Sequence, residues 1–329
     1  MIAYFGEVES NNLGDVAVYN VLRDCYSLGK SIIPLPIGRE LMEYLLQGRL
    51  TRYSAVMIGG GTQFTGINAE YLKALVQCND RVWSFGTGVG SCGFCEPPEA
   101  DLSEIVCFLS RISPLTVRGP LSQDTLSKYD IHSEIIGDPA LGYAKERNSF
   151  RGGRKILVNL VSPVDTYEKI AYQSFIANIA ASLSVLRSKG WLISFMALGP
   201  GDYGYINKFR TAFGFFDSEI AEIYTSVDDF FEALRGAALF LSMRLHGAVL
   251  ASCAGVPFLL CNYRSKCHDF AALIQQEELL LSPNSSASEI MYSINYLFSN
   301  SHKISSAIRS KALYFRDRQS KFLKKQLCS

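Results

Sequence analysis

Short apolar runs alternate with helix-like stretches along most of this chain. Residues 1–5, 53–58, 81–85, 114–117 and 134–136 read as strands, with helices at 15–28, 69–77, 102–109 and 120–129 between them. At 142–154 the pattern lapses into charge and glycine. It then restarts, with strands at 155–160, 191–197, 222–224, 237–243 and 257–262 and helices at 167–187, 207–213, 227–235 and 247–254. Such alternation means a parallel sheet wrapped by helices. The pattern predicts an α/β fold of two doubly wound, Rossmann-like domains, 1–145 and 154–285, with a cleft between them. Residues 286–329 differ in kind. Lys303, Arg309, Lys311, Arg316, Arg318, Lys321, Lys324 and Lys325 face only Asp317, while Ile308, Phe315, Phe322 and Leu323 recur at helical spacing. Within this segment, residues 302–327 read as a basic amphipathic helix, either packed on the body or attracted to anionic lipid or a pyrophosphate-linked acceptor.

One apolar run is interrupted. Between 237 and 262 nearly every residue is apolar except Arg244 and His246, in the stretch Met243-Arg244-Leu245-His246-Gly247. An unpaired guanidinium in a core costs at least several kcal/mol, so Arg244 must meet an anion or open onto a ligand cavity. The alternative is a satisfied core histidine beside a structural ion pair. The pair falls where a strand gives way to a helix that stops at Gly255 with Pro257 beyond. Open α/β sheets bind ligands at that edge, where helix amides favour anions. Arg118, in Val117-Arg118-Gly119-Pro120, holds the equivalent position in the first half, with a salt bridge to a helix carboxylate as its alternative reading. Two such arginines in one cleft suit a ligand carrying both carboxylate and phosphate. Asn11-Asn12-Leu13-Gly14-Asp15, Gly59-Gly60-Gly61-Thr62 and Gly86-Thr87-Gly88-Val89-Gly90 follow strands. Each brings backbone amides to the same edge, or is simply a tight turn.

Composition narrows the field. The formal net charge is +1, and no stretch mixes dense Lys/Arg with aromatics, so nucleic acid is not an expected partner. No apolar run is long enough to span a bilayer, and the first residues lack a signal-peptide pattern, so a cytoplasmic location is expected. Six of the nine cysteines, Cys25, Cys78, Cys107, Cys253, Cys261 and Cys267, are scattered as free thiols would be. Cys92 and Cys95 have half-zinc or redox spacing but no second pair to complete a site, and no metal or other cofactor is expected. No dinucleotide fingerprint follows the first strand, which argues against a nicotinamide enzyme.

In order and spacing, several segments together resemble the polysaccharide pyruvyl transferase family. They are Asn12-Leu13-Gly14-Asp15, Ile58-Gly59-Gly60-Gly61, Ser84-Phe85-Gly86-Thr87-Gly88, Leu115-Thr116-Val117-Arg118, Ile136-Gly137-Asp138-Pro139-Ala140, and Met243 to Gly247 followed by Gly255-Val256-Pro257, Tyr263 and Lys266. The likeness runs from about residue 1 to 270. It implies a GT-B-like arrangement of the two domains, phosphoenolpyruvate as donor and a sugar hydroxyl pair as acceptor, lipid-linked if the basic helix meets membrane. It further implies that Arg118, Arg244 and Leu245 hold the donor while His246 transfers a proton, a role suited to imidazole. Asp15 is a candidate base for the incoming hydroxyl, or else a helix cap. Two positions depart from the family pattern: Val16 and Gly119 stand where acidic residues are usual. The competing readings are a GT-B glycosyltransferase using a nucleotide-sugar donor and a non-catalytic sugar- or anion-binding protein.

Overall fold

The computed structural model describes residues 1–8, 10–28, 31–36, 38–90, 101–146, 152–162 and 166–328. Cys92 and Cys95 lie outside them. The strands are β1 (Ile2–Phe5), β2 (Ile32–Pro34), β3 (Ala55–Ile58), β4 (Val82–Ser84), β5 (Thr116–Val117), β6 (Glu134–Ile135), β7 (Lys155–Asn159), β8 (Leu192–Ala197), β9 (Ile220–Glu222), β10 (Ala237–Ser242), β11 (Phe258–Cys261) and β12 (Leu280–Leu281). The helices are α1 (Leu13–Asp24), α2 (Gly38–Leu46), α3 (Ala69–Cys78), α4 (Val106–Leu109), α5 (Pro120–Ser127), α6 (Thr166–Ser188), α7 (Pro200–Phe213), α8 (Val227–Ala233), α9 (Leu245–Ala254), α10 (Ser265–Ile274), α11 (Ala287–Ser299) and α12 (Ser301–Cys328).

Every recorded strand pair is parallel. One sheet runs β2-β1-β3-β4, and the β5-β6 pair joins its edge through a bridge between Thr87 and Val117. The other runs β12-β11-β10-β7-β8-β9. Strands β1, β3 and β10 are buried along their whole length, which is why they read as unbroken apolar runs rather than as alternation. In each sheet the chain winds outward first one way and then the other, so strand order reverses between β1 and β3 and again between β7 and β10. Such switch points open a crevice at the carboxyl ends of the strands.

The basic helix of the carboxyl-terminal stretch is α12, and α11 precedes it. Ser286 and Glu289 form a capping box that starts α11, and Asn300 separates it from α12. Helix α11 stays with the second half, where Phe298 stacks on Trp191 at 4.4 Å. Helix α12 crosses back to the first: Phe322 packs against Trp83 and Phe85, and buried Gln319 donates to the carbonyls of Ile136 and Asp138. Part of its basic face is consumed there. Arg316 bonds the Ala144 carbonyl and Glu146, and Arg318 pairs with Glu134, which leaves Lys303, Lys321, Lys324 and Lys325 exposed. Among the described residues no helix is long and apolar enough to cross a membrane.

Candidate active site

The two switch points face one cavity of about 120 Å3. Its wall draws on Asn12 after β1 and the first residues of α1 (Leu13, Gly14, Asp15), the loop after β3 (Gly61, Thr62), Arg118 after β5, Leu198 after β8, Arg244, Leu245 and His246 after β10, and Tyr263 and Lys266 after β11. Local sequence explains each placement. The Asn12 side chain caps α1 by accepting from the Gly14 amide, while the Leu13 amide donates to Leu198 O in the other half. Asp15 is therefore not the cap; its carboxylate accepts from the Ser10 hydroxyl at 2.9 Å and stays on the cavity wall. Helix α9 starts at Leu245 directly after Arg244, so its first residues, Leu245 and His246, stand on the cavity wall at a helix N-terminus.

Arg244 does find an anion inside the protein. Its Nε and Nη2 donate to the two Asp202 carboxylate oxygens at 2.7 and 2.8 Å, a bidentate pair. Asp202 also accepts from Asn159 and from the Leu198 amide. Asn159, ending β7, accepts in turn from the Arg244 amide, which locks the arginine to the β7–β10 crevice. Burial of the guanidinium opposes its charge, but the Asp202 bond and field outweigh this and hold it firmly protonated. Two of its five N–H groups are engaged, and the side chain remains 23 % exposed where it borders the cavity. The ion-pair and ligand readings of Arg244 are thus compatible.

Arg118 is almost wholly buried. Its Nη2 donates to Thr62 Oγ1 at 3.3 Å, and its Nε lies 3.7 Å from Asp269 Oδ2 without a hydrogen-bond partner. His246 Nε2 lies 3.4 Å from Asp138 Oδ2, and the other Asp138 oxygen accepts from the Ala140 amide. Burial alone would push the Asp138 carboxyl up. The facing imidazole, helped by Arg118 and the Ala140 amide, instead holds it below the usual carboxylate range. Lys266 has no carboxylate partner among the described residues, and its ammonium lies 5.7 Å from the Tyr263 ring centre. Burial lowers its pKa and outweighs an opposing pull from Cys267, with Arg118, Arg244 and Arg264 adding to the lowering. A lysine destabilised by neighbouring cations and without such a carboxylate favours an anion in the cavity.

Of the expected residues, Asn12, Gly14, Asp15, Gly61, Arg118, Arg244, Leu245, His246 and Lys266 come together here. Gly59 and Gly60 are not on the cavity wall; they pack beneath it, where a Cβ would strike the Tyr4 ring or Val18. Sequence reasoning did not single out Asp202 or Asp269, and gave Asp138 no role. Asp138 sat in a noted motif, and the Gly-Pro-Gly-Asp stretch after a predicted strand marked Asp202; α10, which carries Asp269, went unread. Among the described residues no three His, Cys, Asp or Glu side chains gather as metal ligands.

A polysaccharide pyruvyl transferase family model matches residues 12–265, more than half of the chain. The chain belongs to the polysaccharide pyruvyl transferase family. It is accordingly an enzyme, a transferase, and no curated protein matches it individually. Solved structures share its GT-B architecture. The sucrose-phosphate synthase of Thermosynechococcus elongatus is 11 % identical with a TM-score of 0.62, covering 99 % of this chain and 98 % of that one. A glycosyltransferase from Rickettsia africae is 10 % identical at TM-score 0.58, covering 98 % and 97 %. The α,α-trehalose 6-phosphate synthase of Burkholderia multivorans is 13 % identical at TM-score 0.53, covering 96 % and 79 %. At these identities the likeness speaks for the fold alone.

Proposed function

We propose that this pyruvyl transferase binds phosphoenolpyruvate in the cavity and delivers it to two hydroxyls of one sugar, giving a cyclic ketal and phosphate. The observation that carries the reading is the convergence of Arg118, Arg244 and Lys266 on a small cavity whose lysine has no carboxylate partner among the described residues, beside an imidazole facing a buried carboxylate. Phosphoenolpyruvate has a carboxylate and a phosphate to meet those cations and the first amides of α9. His246, oriented by Asp138, protonates the methylene carbon, which makes C2 electrophilic. One sugar hydroxyl adds to C2, the C2–O bond to phosphate breaks, and the second hydroxyl closes the ketal. Of the two hydroxyl protons, one balances that gained by the methylene and the other leaves with phosphate. The cations stabilise the departing charge, and Asp15, which lines the cavity, takes a hydroxyl proton in this reading.

The acceptor is a saccharide of a polysaccharide or its precursor, and a lipid-linked form would lie near the exposed lysines of α12. Phosphate release from phosphoenolpyruvate, measured with and without a panel of oligosaccharide and lipid-linked acceptors, tests the reading. An acceptor mass gain matching a pyruvate ketal supports it. Consumption of a UDP-sugar with phosphoenolpyruvate untouched would mean a glycosyltransferase instead.

A further inference from the structure

Helix α5 begins without a cap of its own. Gly119 occupies the cap position, Pro120 follows, and no side chain on the same segment accepts from the first free amides. Those amides are satisfied from the other half of the molecule. Asp269 Oδ1, on α10, accepts from the Leu121 amide at 2.9 Å and the Ser122 amide at 3.4 Å, while Oδ2 accepts from the Ser122 hydroxyl at 2.6 Å. These are the two amides that a capping side chain at position 119 would serve. An ideal Cβ on Gly119 would lie 2.1 Å from Asp269 Oδ1, so the glycine leaves the space that the distant carboxylate fills. The same carboxylate faces Arg118 Nε, and Asp269 stands three residues beyond Lys266 on one helix.

We infer that Asp269 is a positioning residue that caps α5 in trans and thereby fixes Arg118 relative to Lys266, coupling the donor-binding cations of the two halves. It acts through other residues, since it is not on the cavity wall. The inference rests on the phosphoenolpyruvate reading for its effect on affinity, but the cap itself can be measured without a donor.

The test compares Asp269→Ala with the double variant Gly119→Asp/Asp269→Ala, in which an aspartate at the cap position serves the same amides from within α5. Donor binding is measured by calorimetry with phosphoenolpyruvate, and the amides are followed by hydrogen exchange in the intact, donor-free protein. In Asp269→Ala the Leu121 and Ser122 amides should exchange faster and donor Kd should rise about tenfold, the effect of losing one charge-assisted contact. The double variant should recover amide protection and Tm while donor Kd stays raised, because α10 is no longer tied to α5. Wild-type affinity in Asp269→Ala, or full recovery of affinity in the double variant, overturns the coupling. If Asp269→Ala does not fold, the double variant carries the measurement. Wild-type protein that binds no phosphoenolpyruvate refutes the donor reading instead; unchanged Leu121 and Ser122 exchange in Asp269→Ala refutes the cap on its own.

Discussion

Adding one methyl group at Gly14 separates catalysis from folding. Gly14 is the second residue of α1, and an ideal Cβ there would lie 2.1 Å from His246 Nδ1 and 2.7 Å from its Cγ. Ordinary contact needs about 3.5 Å, so the ring must retreat by roughly 1.4 Å. It cannot retreat toward Asp138, which is buried behind it, but it is 17 % exposed and can swing into the cavity. Alanine suits a helical backbone better than glycine by about 0.5–1 kcal/mol, which offsets part of the strain. A misplacement of this size in a reacting group costs on the order of 10²-fold in rate. The expected outcome for Gly14→Ala is therefore kcat lower by about a hundredfold, a Tm close to wild type, and donor binding largely kept, because Arg118 and Lys266 do not move. Steady-state phosphate release, calorimetry with phosphoenolpyruvate and thermal unfolding give the three readouts. Combining it with His246→Ala should add little further loss, since both act on one group. A well-folded Gly14→Ala enzyme with full kcat would refute the role given to His246.

Three further outcomes are expected. Asp138→Asn should lower kcat through the unheld imidazole and alter acid stability. The Asp138 carboxyl lies below its ordinary value when folded, so its stabilisation is complete above about pH 4 and lost as pH falls through the depressed value, and urea unfolding between about pH 2 and 6 should show that limb shrunken in the variant. Lys266 has the opposite sign: its folded pKa is lowered, a bound anion favours its charged form, and donor affinity should fall as pH rises through the lowered value. Calorimetry across that range should find the decline absent in Lys266→Met. Arg244→Ala should do more than weaken donor binding, because it strips two of the bonds to a buried carboxylate; a loss of about 3–5 kcal/mol in denaturant unfolding is expected, largely relieved when Asp202→Ala is added.

Much of this fold was legible because buried parallel strands write themselves as short apolar runs. The exceptions follow the same physics. β2 and β12 are only three and two residues long, too short to show a period, and α10 and α11 followed the last strong strand signal without being read. The cations of the site stood out because an arginine or histidine in an apolar run demands a partner. Their partners did not stand out. Asp202 and Asp269 lie in helices, where a lone aspartate looks like any solvated residue, and only tertiary contact reveals them as buried. Helix α12 shows the converse: its basic character was plain, but nothing local told that Arg316 and Arg318 bind the first half while the lysines face solvent.

The acids also explain why the site needs both halves at once. Arg118 belongs to the first half and faces a carboxylate of the second, Asp269; His246 belongs to the second and faces a carboxylate of the first, Asp138. Counter-charges are exchanged across the interface, and the Leu13 amide also donates across it to the Leu198 carbonyl. Separating the halves would leave each cation and each acid to be rehydrated, while the α5 amides and the Asp138 loop lost their order. Of these described pairs, Arg244–Asp202 lies within one half, so that arginine is set before the halves meet. An anion reaching the cavity then meets one cation already fixed and others whose geometry depends on docking. Binding energy gained from Arg118 and Lys266 together is therefore also energy that holds the halves together.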